Sequence, residues 1–130
     1  MAVSSAKKHF LNLNPSEIYS TDEIVIGVWT DGKPFYQKTI TGKIPSGAGS
    51  NKVLVSNFTN KTLRNVKGAL IQKSGNYPVP IQFTASENNM AIVWQDGSSI
   101  KIMIADNDGL TSVNVGADYT IALQYTKTTD

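Results

Sequence analysis

The sequence contains no cysteine and a single histidine, His9. Without cysteine the chain can form neither a disulfide framework nor a cysteine-ligated zinc site. His9 precedes the strand-rich part of the sequence, so no rigid scaffold holds a histidine base for acyl transfer or cysteine-type catalysis. We therefore expect no catalytic residue of these classes and no cofactor.

Charge is also scarce. Charged residues make up 17% of the 130 residues and the net charge is +2, whereas an average soluble domain has about 25% charged residues. The lysines are scattered singly apart from Lys7 and Lys8, so the basic stripe of a nucleic-acid-binding protein is missing. No stretch approaches the ~20 apolar residues of a membrane span, and residues 1–8 lack the apolar core of a signal peptide. The sequence predicts neither a nucleic-acid nor a membrane partner.

The ten acidic residues leave glycoside hydrolysis open, because that reaction needs only two carboxylates at a set separation. Asp31 and Asp96 each precede a glycine in a hairpin turn, where turn geometry favours aspartate. Asp22, Glu23 and Glu87 lie at strand edges or loop tips. This placement argues against an acid–base pair, and the chain is expected not to be an enzyme.

What the sequence does contain is the pattern of a β protein. From Glu23 onward, short β-branched and aromatic runs alternate with turn residues roughly every ten positions, as in antiparallel sandwiches. Strands are predicted at residues 24–29, 35–40, 52–56, 63–72, 79–84, 90–95, 100–105 and 119–126. The predicted fold class is all-β, an antiparallel, jelly-roll-like β-sandwich of about eight strands with an N-terminal arm.

The first residues differ from this pattern and define the predicted domain organisation. Residues 1–18 are expected to form an N-terminal arm or attachment segment, and residues 19–130 a single β-sandwich domain. The alternative for the end of the arm is a short helix beginning near Pro15. Proline is tolerated in a first helical turn, and Glu17 suits the positive end of the helix dipole.

Three local patterns give specific expectations. Asp31-Gly32 can supply the positive φ angles of a tight hairpin turn, and Pro34 should begin its strand because proline cannot donate to a ladder. Residues 119–126 alternate between apolar and polar side chains, which predicts one buried face and one face in water. Residues 90–93 are apolar nearly throughout, as in a strand covered on both faces, and a subunit interface is one way to cover the second face.

Exposed aromatic rings beside amide or carboxylate side chains form a common type of sugar-binding surface, because the ring stacks and the polar groups bond hydroxyls. Tyr77 lies in the turn of residues 75–78, and Trp94 is followed by Gln95 and Asp96. Core packing is the competing interpretation for both tryptophans. The candidate ligand-binding residues are Asn76, Tyr77, Trp94, Asp96, Asp106 and Asp108.

Asp106 and Asp108 belong to the run Asp106-Asn107-Asp108-Gly109, which is similar to the start of a calcium-binding loop. The calcium pattern requires acidic residues at alternate positions and a glutamate at its end, and the residues up to Asp118 do not supply them. An ordinary polar turn is the favoured interpretation, and no metal site is predicted.

The first hairpin carries a longer motif. It comprises Tyr19-Ser20, the acidic Asp22 and Glu23, Ile26-Gly27-Val28-Trp29, Asp31-Gly32-Lys33-Pro34, the aromatic pair Phe35-Tyr36, and Gln37-Lys38-Thr39. This motif, with the ending Gln-Tyr-Thr-Lys-Thr-Thr-Asp of residues 124–130, resembles bacteriophage virion proteins described as tail fibre, head fibre or minor structural proteins. Residues 42–116 match such proteins only in general character.

The resemblance implies a virion module that is assembled in the bacterial cytoplasm, forms a homotrimer, and contacts other virion proteins. The first functional hypothesis is the receptor-binding tip of a tail or head fibre, which binds a bacterial surface glycan or protein. The alternative is a capsid or tail decoration or assembly protein without receptor binding, with the arm as its attachment segment. A glycan depolymerase is a third hypothesis. The hairpin motif itself transfers no binding or catalytic residue.

Overall fold

The computed structural model describes residues 14–44, 52–71, 78–81, 83–86, 89–105 and 116–130. These residues form nine strands and one 3-10 helix. The helix spans Pro15–Glu17, and the strands are β1 (Ile24–Val28), β2 (Pro34–Lys43), β3 (Lys52–Val55), β4 (Lys61–Ile71), β5 (Pro78–Pro80), β6 (Phe83–Ser86), β7 (Asn89–Asp96), β8 (Ser99–Ala105) and β9 (Asp118–Lys127).

The strands pair into two antiparallel sheets. The five-stranded sheet has the order β1-β2-β9-β4-β5, and the four-stranded sheet has the order β3-β8-β7-β6. The pairs β2–β9 and β3–β8 lie in opposite sheets, as successive outer pairs of a jelly roll do, whereas β4–β5 and β6–β7 are local hairpins. The predicted all-β sandwich is confirmed, and its jelly-roll character is confined to the outer pairs.

An apolar core fills the space between the sheets. The odd-numbered residues of β9 enter it, as the alternation predicted: Tyr119, Ile121, Leu123 and Tyr125. The four-stranded sheet contributes Ala91, Val93, Ile100 and Ile102. Because side chains alternate along a strand, this packing fixes which residues of β7 and β8 face away from the core.

The predicted strand at residues 79–84 is two strands in different sheets. Pro78 and Pro80 lie on β5, at the edge of the five-stranded sheet, where the missing backbone donors cost nothing. Ile81 follows at once, with its side chain buried and its amide donating to the carbonyl of Gly68. The chain crosses between the sheets here, which explains why the structure has nine strands rather than eight.

The first hairpin closes largely as expected. Pro34 begins β2, and Gly32 has a φ of 88°. Asp31 keeps a negative φ and contributes through its carboxylate, which accepts the amide of Lys33 at 3.0 Å. The Gly32 amide donates to the carbonyl of Trp29. The expectation of positive φ therefore holds for the glycine alone.

The expectation that one face of β9 lies in water is wrong. Ala122, Gln124 and Thr126 are all buried, with exposures of 0%, 6% and 2%. Residues 14–20 contribute to this cover: the Gln37 amide, beside Gln124, donates to the carbonyls of Ser16 and Ile18 at 3.1 and 3.2 Å, and the Thr39 amide donates to Ser20. Thr126 is contacted by Arg64 of β4. The covering segment is distant in sequence, so alternation within β9 carries no trace of it.

Under this segment three amide side chains form a row across β2, β9 and β4. Gln124 donates to Gln37 at 2.7 Å, and Asn65 donates to Gln124 at 2.8 Å. The covering segment begins with the 3-10 helix, which confirms a short helix near Pro15, and Asn14 caps it by accepting the amide of Ser16. Residues 1–13 lie outside the described residues, so the domain boundary at residue 18 stays a prediction.

Gly68 generates a stability prediction. Its φ is +141°, and a Cβ there would lie 2.1 Å from the carbonyl oxygen of Thr120 on β9. Gly68→Ala should therefore lower the free energy of unfolding by about 3 kcal/mol, measured by urea denaturation.

Gly27→Ala is the matched control, because a Cβ at Gly27 meets nothing within 4 Å. We expect it to change the free energy of unfolding by less than about 0.5 kcal/mol. Equal effects of the two substitutions would contradict the close approach of β4 and β9.

Candidate functional site

The six candidate ligand-binding residues divide by position. Asn76, Tyr77, Asp106 and Asp108 lie outside the described residues. Trp94 and Asp96 both lie on β7, on the side facing away from the core, because Ala91 and Val93 take the inward positions. The structure thus brings two of the six together on the outer face of the four-stranded sheet.

Trp94 is half-buried and does not belong to the core cluster. On the same face, Ile92 lies opposite Met103 of β8, and both are half-buried as well. We call Ile92, Trp94, Met103 and the neighbouring Asp96–Lys101 pair the Trp94 face. It presents an aromatic ring and two apolar side chains that the core does not use.

An ion pair lies beside the ring. Lys101 is directly opposite Trp94 in the β7–β8 register, and its ammonium contacts the Asp96 carboxylate at 2.6 Å. Asp96 remains 59% exposed, so its carboxylate can still accept a hydrogen bond from a ligand. Gln95 cannot join it, because its amide bonds the backbone of Lys61 and Leu63 on β4.

Trp29, the other tryptophan, has a scaffold role on the five-stranded sheet. Its ring packs against Phe35 with centroids 4.9 Å apart, and the Arg64 guanidinium lies 5.3 Å from the ring centroid. These contacts connect the first hairpin to β4.

A cleft of about 460 Å³, which the sequence did not reveal, opens between β2 and β3. Lys38 and Ile40 line it from β2, and Leu54 and Val55 line it from β3. Successive residues of a regular strand point to opposite faces, but the register shift between Val53 and Val55 lets two neighbours share this side. No pattern in the sequence marks that shift.

Two aromatic rings close the bottom of the cleft. Phe58 and Tyr125 meet edge to face with centroids 5.1 Å apart, and they are 4% and 0% exposed. The Lys61 ammonium lies 5.5 and 5.4 Å from the two ring centroids. The open surface of the cleft therefore consists of aliphatic side chains, two lysines, Ser56 and Asn57 rather than aromatic faces.

Behind the cleft, the Tyr125 hydroxyl donates to Glu23. Lys127 also donates to Glu23, at 2.5 Å. Partial burial by itself would raise the pKa of Glu23, but the hydrogen bonds from Lys127 and Tyr125 hold it below its usual value of 4.5. Burial, together with the bond to Glu23, raises the pKa of Tyr125.

These pKa shifts limit the proton transfers that Glu23 and Tyr125 can perform. A carboxylate with a lowered pKa cannot donate a proton near neutral pH, and a tyrosine with a raised pKa cannot serve as a base. Among the described residues no group of three His, Cys, Asp or Glu side chains could hold a metal ion.

Comparisons of the chain with protein-family models, curated proteins and solved structures found no match. No helix within the described ranges has the length and apolar character to cross a membrane.

The bonds of Glu23 to Lys127 and Tyr125 lead to a prediction about how stability depends on pH. At pH 7, Glu23→Gln should lower the free energy of unfolding by about 1 kcal/mol, because it removes the charge that Lys127 and Tyr125 bond. Since the folded-state pKa of Glu23 is lowered, its contribution is present above the unfolded value and is lost as pH falls through the folded one. The difference from the original protein should therefore vanish well below pH 4.5, as followed by urea denaturation.

Asp22→Asn is the control, since it removes the same charge from an exposed neighbour. It should change stability little at either pH. A Glu23→Gln difference that persists at pH 3 would contradict the charge-based explanation.

Proposed function

We propose that the chain is a non-catalytic binding module of a bacteriophage particle, the receptor-binding tip of a tail or head fibre. It attaches to a glycan or protein on the bacterial surface. The phage context is supported by the resemblance of residues 19–40 and 124–130 to virion proteins. Trp29 and Phe35 of that motif pack on each other, which suits a motif retained for architecture.

The Trp94 face is the structural feature that best supports receptor binding. A half-buried indole lies beside an exposed carboxylate and an ammonium on one sheet face, and none of these groups belongs to the hydrophobic core. An indole stacks on the apolar face of a pyranose, while carboxylate and ammonium groups bond hydroxyls. This geometry supports a glycan as the ligand.

Depolymerase activity receives less support. Asp96 is paired with Lys101, and Glu23 is bonded by Lys127 and Tyr125 on the other sheet. Glycoside hydrolysis needs two carboxyl groups on opposite sides of one scissile bond. Asp96 and Glu23, which lie on different sheets, do not form such a pair.

A decoration or assembly protein is the second candidate. It is favoured by Ile92 and Met103, which accompany Trp94 on the same face, because a half-exposed apolar patch also suits a contact with another virion protein. Binding only to particles that lack the protein, and to no glycan, would favour this candidate.

Trp94 provides the test of receptor binding. On an array of bacterial surface polysaccharides, Trp94→Ala should weaken binding by about tenfold, the effect expected from losing one stacked ring. Trp94→Phe keeps a ring and should retain most of the binding, which separates stacking from folding. Unchanged binding by Trp94→Ala would contradict a glycan site on this face, and a change in polysaccharide length would indicate a depolymerase.

The homotrimer is tested by mass. Three copies of the 14.1 kDa chain give about 42 kDa, which native mass spectrometry distinguishes from a monomer. We expect the trimer, because the resemblance is to phage fibre proteins and those are commonly trimeric. A mass of 14.1 kDa at micromolar concentration would remove the fibre inference and leave a monomeric binding module.

A further inference from the structure

The cleft lies between β3, which is the edge strand of the four-stranded sheet, and the part of β2 that continues past its pairing with β1. β1 pairs with β2 only from Pro34 to Gln37. Beyond that point, among the described residues, the Thr39 amide already donates to the Ser20 carbonyl. An extended chain segment can therefore lie along the opening and use the backbone groups at the edge of β3.

The charge of the cleft selects an anionic ligand. Lys38 and Lys61 line it, and none of the described residues that line it is acidic. Glu23 acts electrostatically on Lys61, but Lys127 and Tyr125 already bond its carboxylate. The described lining thus has two ammonium groups and no carboxylate. This charge favours a peptide segment with acidic residues on both sides of the residue that enters the cleft.

The aromatic and aliphatic side chains of the cleft favour a peptide over a stacked sugar. The rings of Phe58 and Tyr125 are buried against each other, so neither offers a free face for stacking a pyranose. Ile40, Leu54 and Val55 are half-buried and open to the cleft. A volume of about 460 Å³ holds one branched aliphatic side chain with its flanking backbone.

We propose that the cleft between β2 and β3 binds an extended acidic peptide segment of a partner protein. One aliphatic side chain of the segment packs against Ile40, Leu54 and Val55, and acidic residues on either side pair with Lys38 and Lys61. This site is separate from the Trp94 face.

The test uses a fluorescein-labelled, terminally blocked peptide Glu-Glu-Leu-Glu-Glu and fluorescence anisotropy on the full chain. Binding should weaken at least about tenfold when the central leucine is replaced by serine, and also with Lys38→Gln, since each removes one of the proposed contacts. Binding should also weaken as salt is raised. Lys-Lys-Leu-Lys-Lys should bind the original protein more weakly than the acidic peptide, and Lys38→Glu should reduce that difference because it places a carboxylate beside Lys61.

Lys43→Gln is the matched control, because Lys43 lies on the same strand and forms an exposed pair with Asp118 on the opposite side. It should leave peptide binding unchanged, and so should Trp94→Ala. The proposal would be overturned if the original protein bound the acidic and the basic peptide equally well, or if Lys38→Gln had no effect on binding of the acidic peptide. Oligogalacturonate binding that depends on Lys38 and excludes the peptide would also overturn it. If the original protein bound the peptide but no polysaccharide on the array, the result would instead count against the proposed receptor function.

Discussion

The row of Gln37, Gln124 and Asn65 is the interaction on which the five-stranded sheet depends. Each amide donates to the next, and the side-chain nitrogen of Gln37 donates to the carbonyls of Ser16 and Ile18 in the covering segment. A buried amide without partners costs several kcal/mol, so the row holds only in one register. A slip by one residue would break it and would also turn β9's aromatic residues out of the core.

This constraint determines where a ligand can bind. β9 is buried on both faces from Ile121 to Thr126, so the central strand offers no surface to a partner. The covering segment occupies the outer face of its sheet, and Gln95 ties the four-stranded sheet to β4 through backbone bonds. Among the described residues, the outer face around Trp94 and the gap between β2 and β3 are two of the surfaces that these constraints leave open.

The sequence predicted contacts that leave a local signature. Alternation located the inward residues of β9, and Gly32 and Pro34 marked the first hairpin. The burial of Gln124 was not predicted, because the covering segment bonds the amide row through the main-chain carbonyls of Ser16 and Ile18. Main-chain contacts of this kind leave no pattern in the residue types. The cleft was missed because it depends on the crossing between sheets and on a register shift in β3. Trp94 was ambiguous because an apolar run reads alike for core and outer face.

The motif of the first hairpin can be explained largely by its contacts within the fold. Gln37 anchors the amide row, Glu23 bonds Tyr125 and Lys127, and Ser20 accepts the Thr39 amide. A motif whose members are committed to internal contacts specifies a framework and leaves ligand choice to other residues. Lys38 departs from this rule, because it belongs to the motif and yet lines the open cleft. Its ammonium is therefore the part of the motif that a ligand in the cleft can contact.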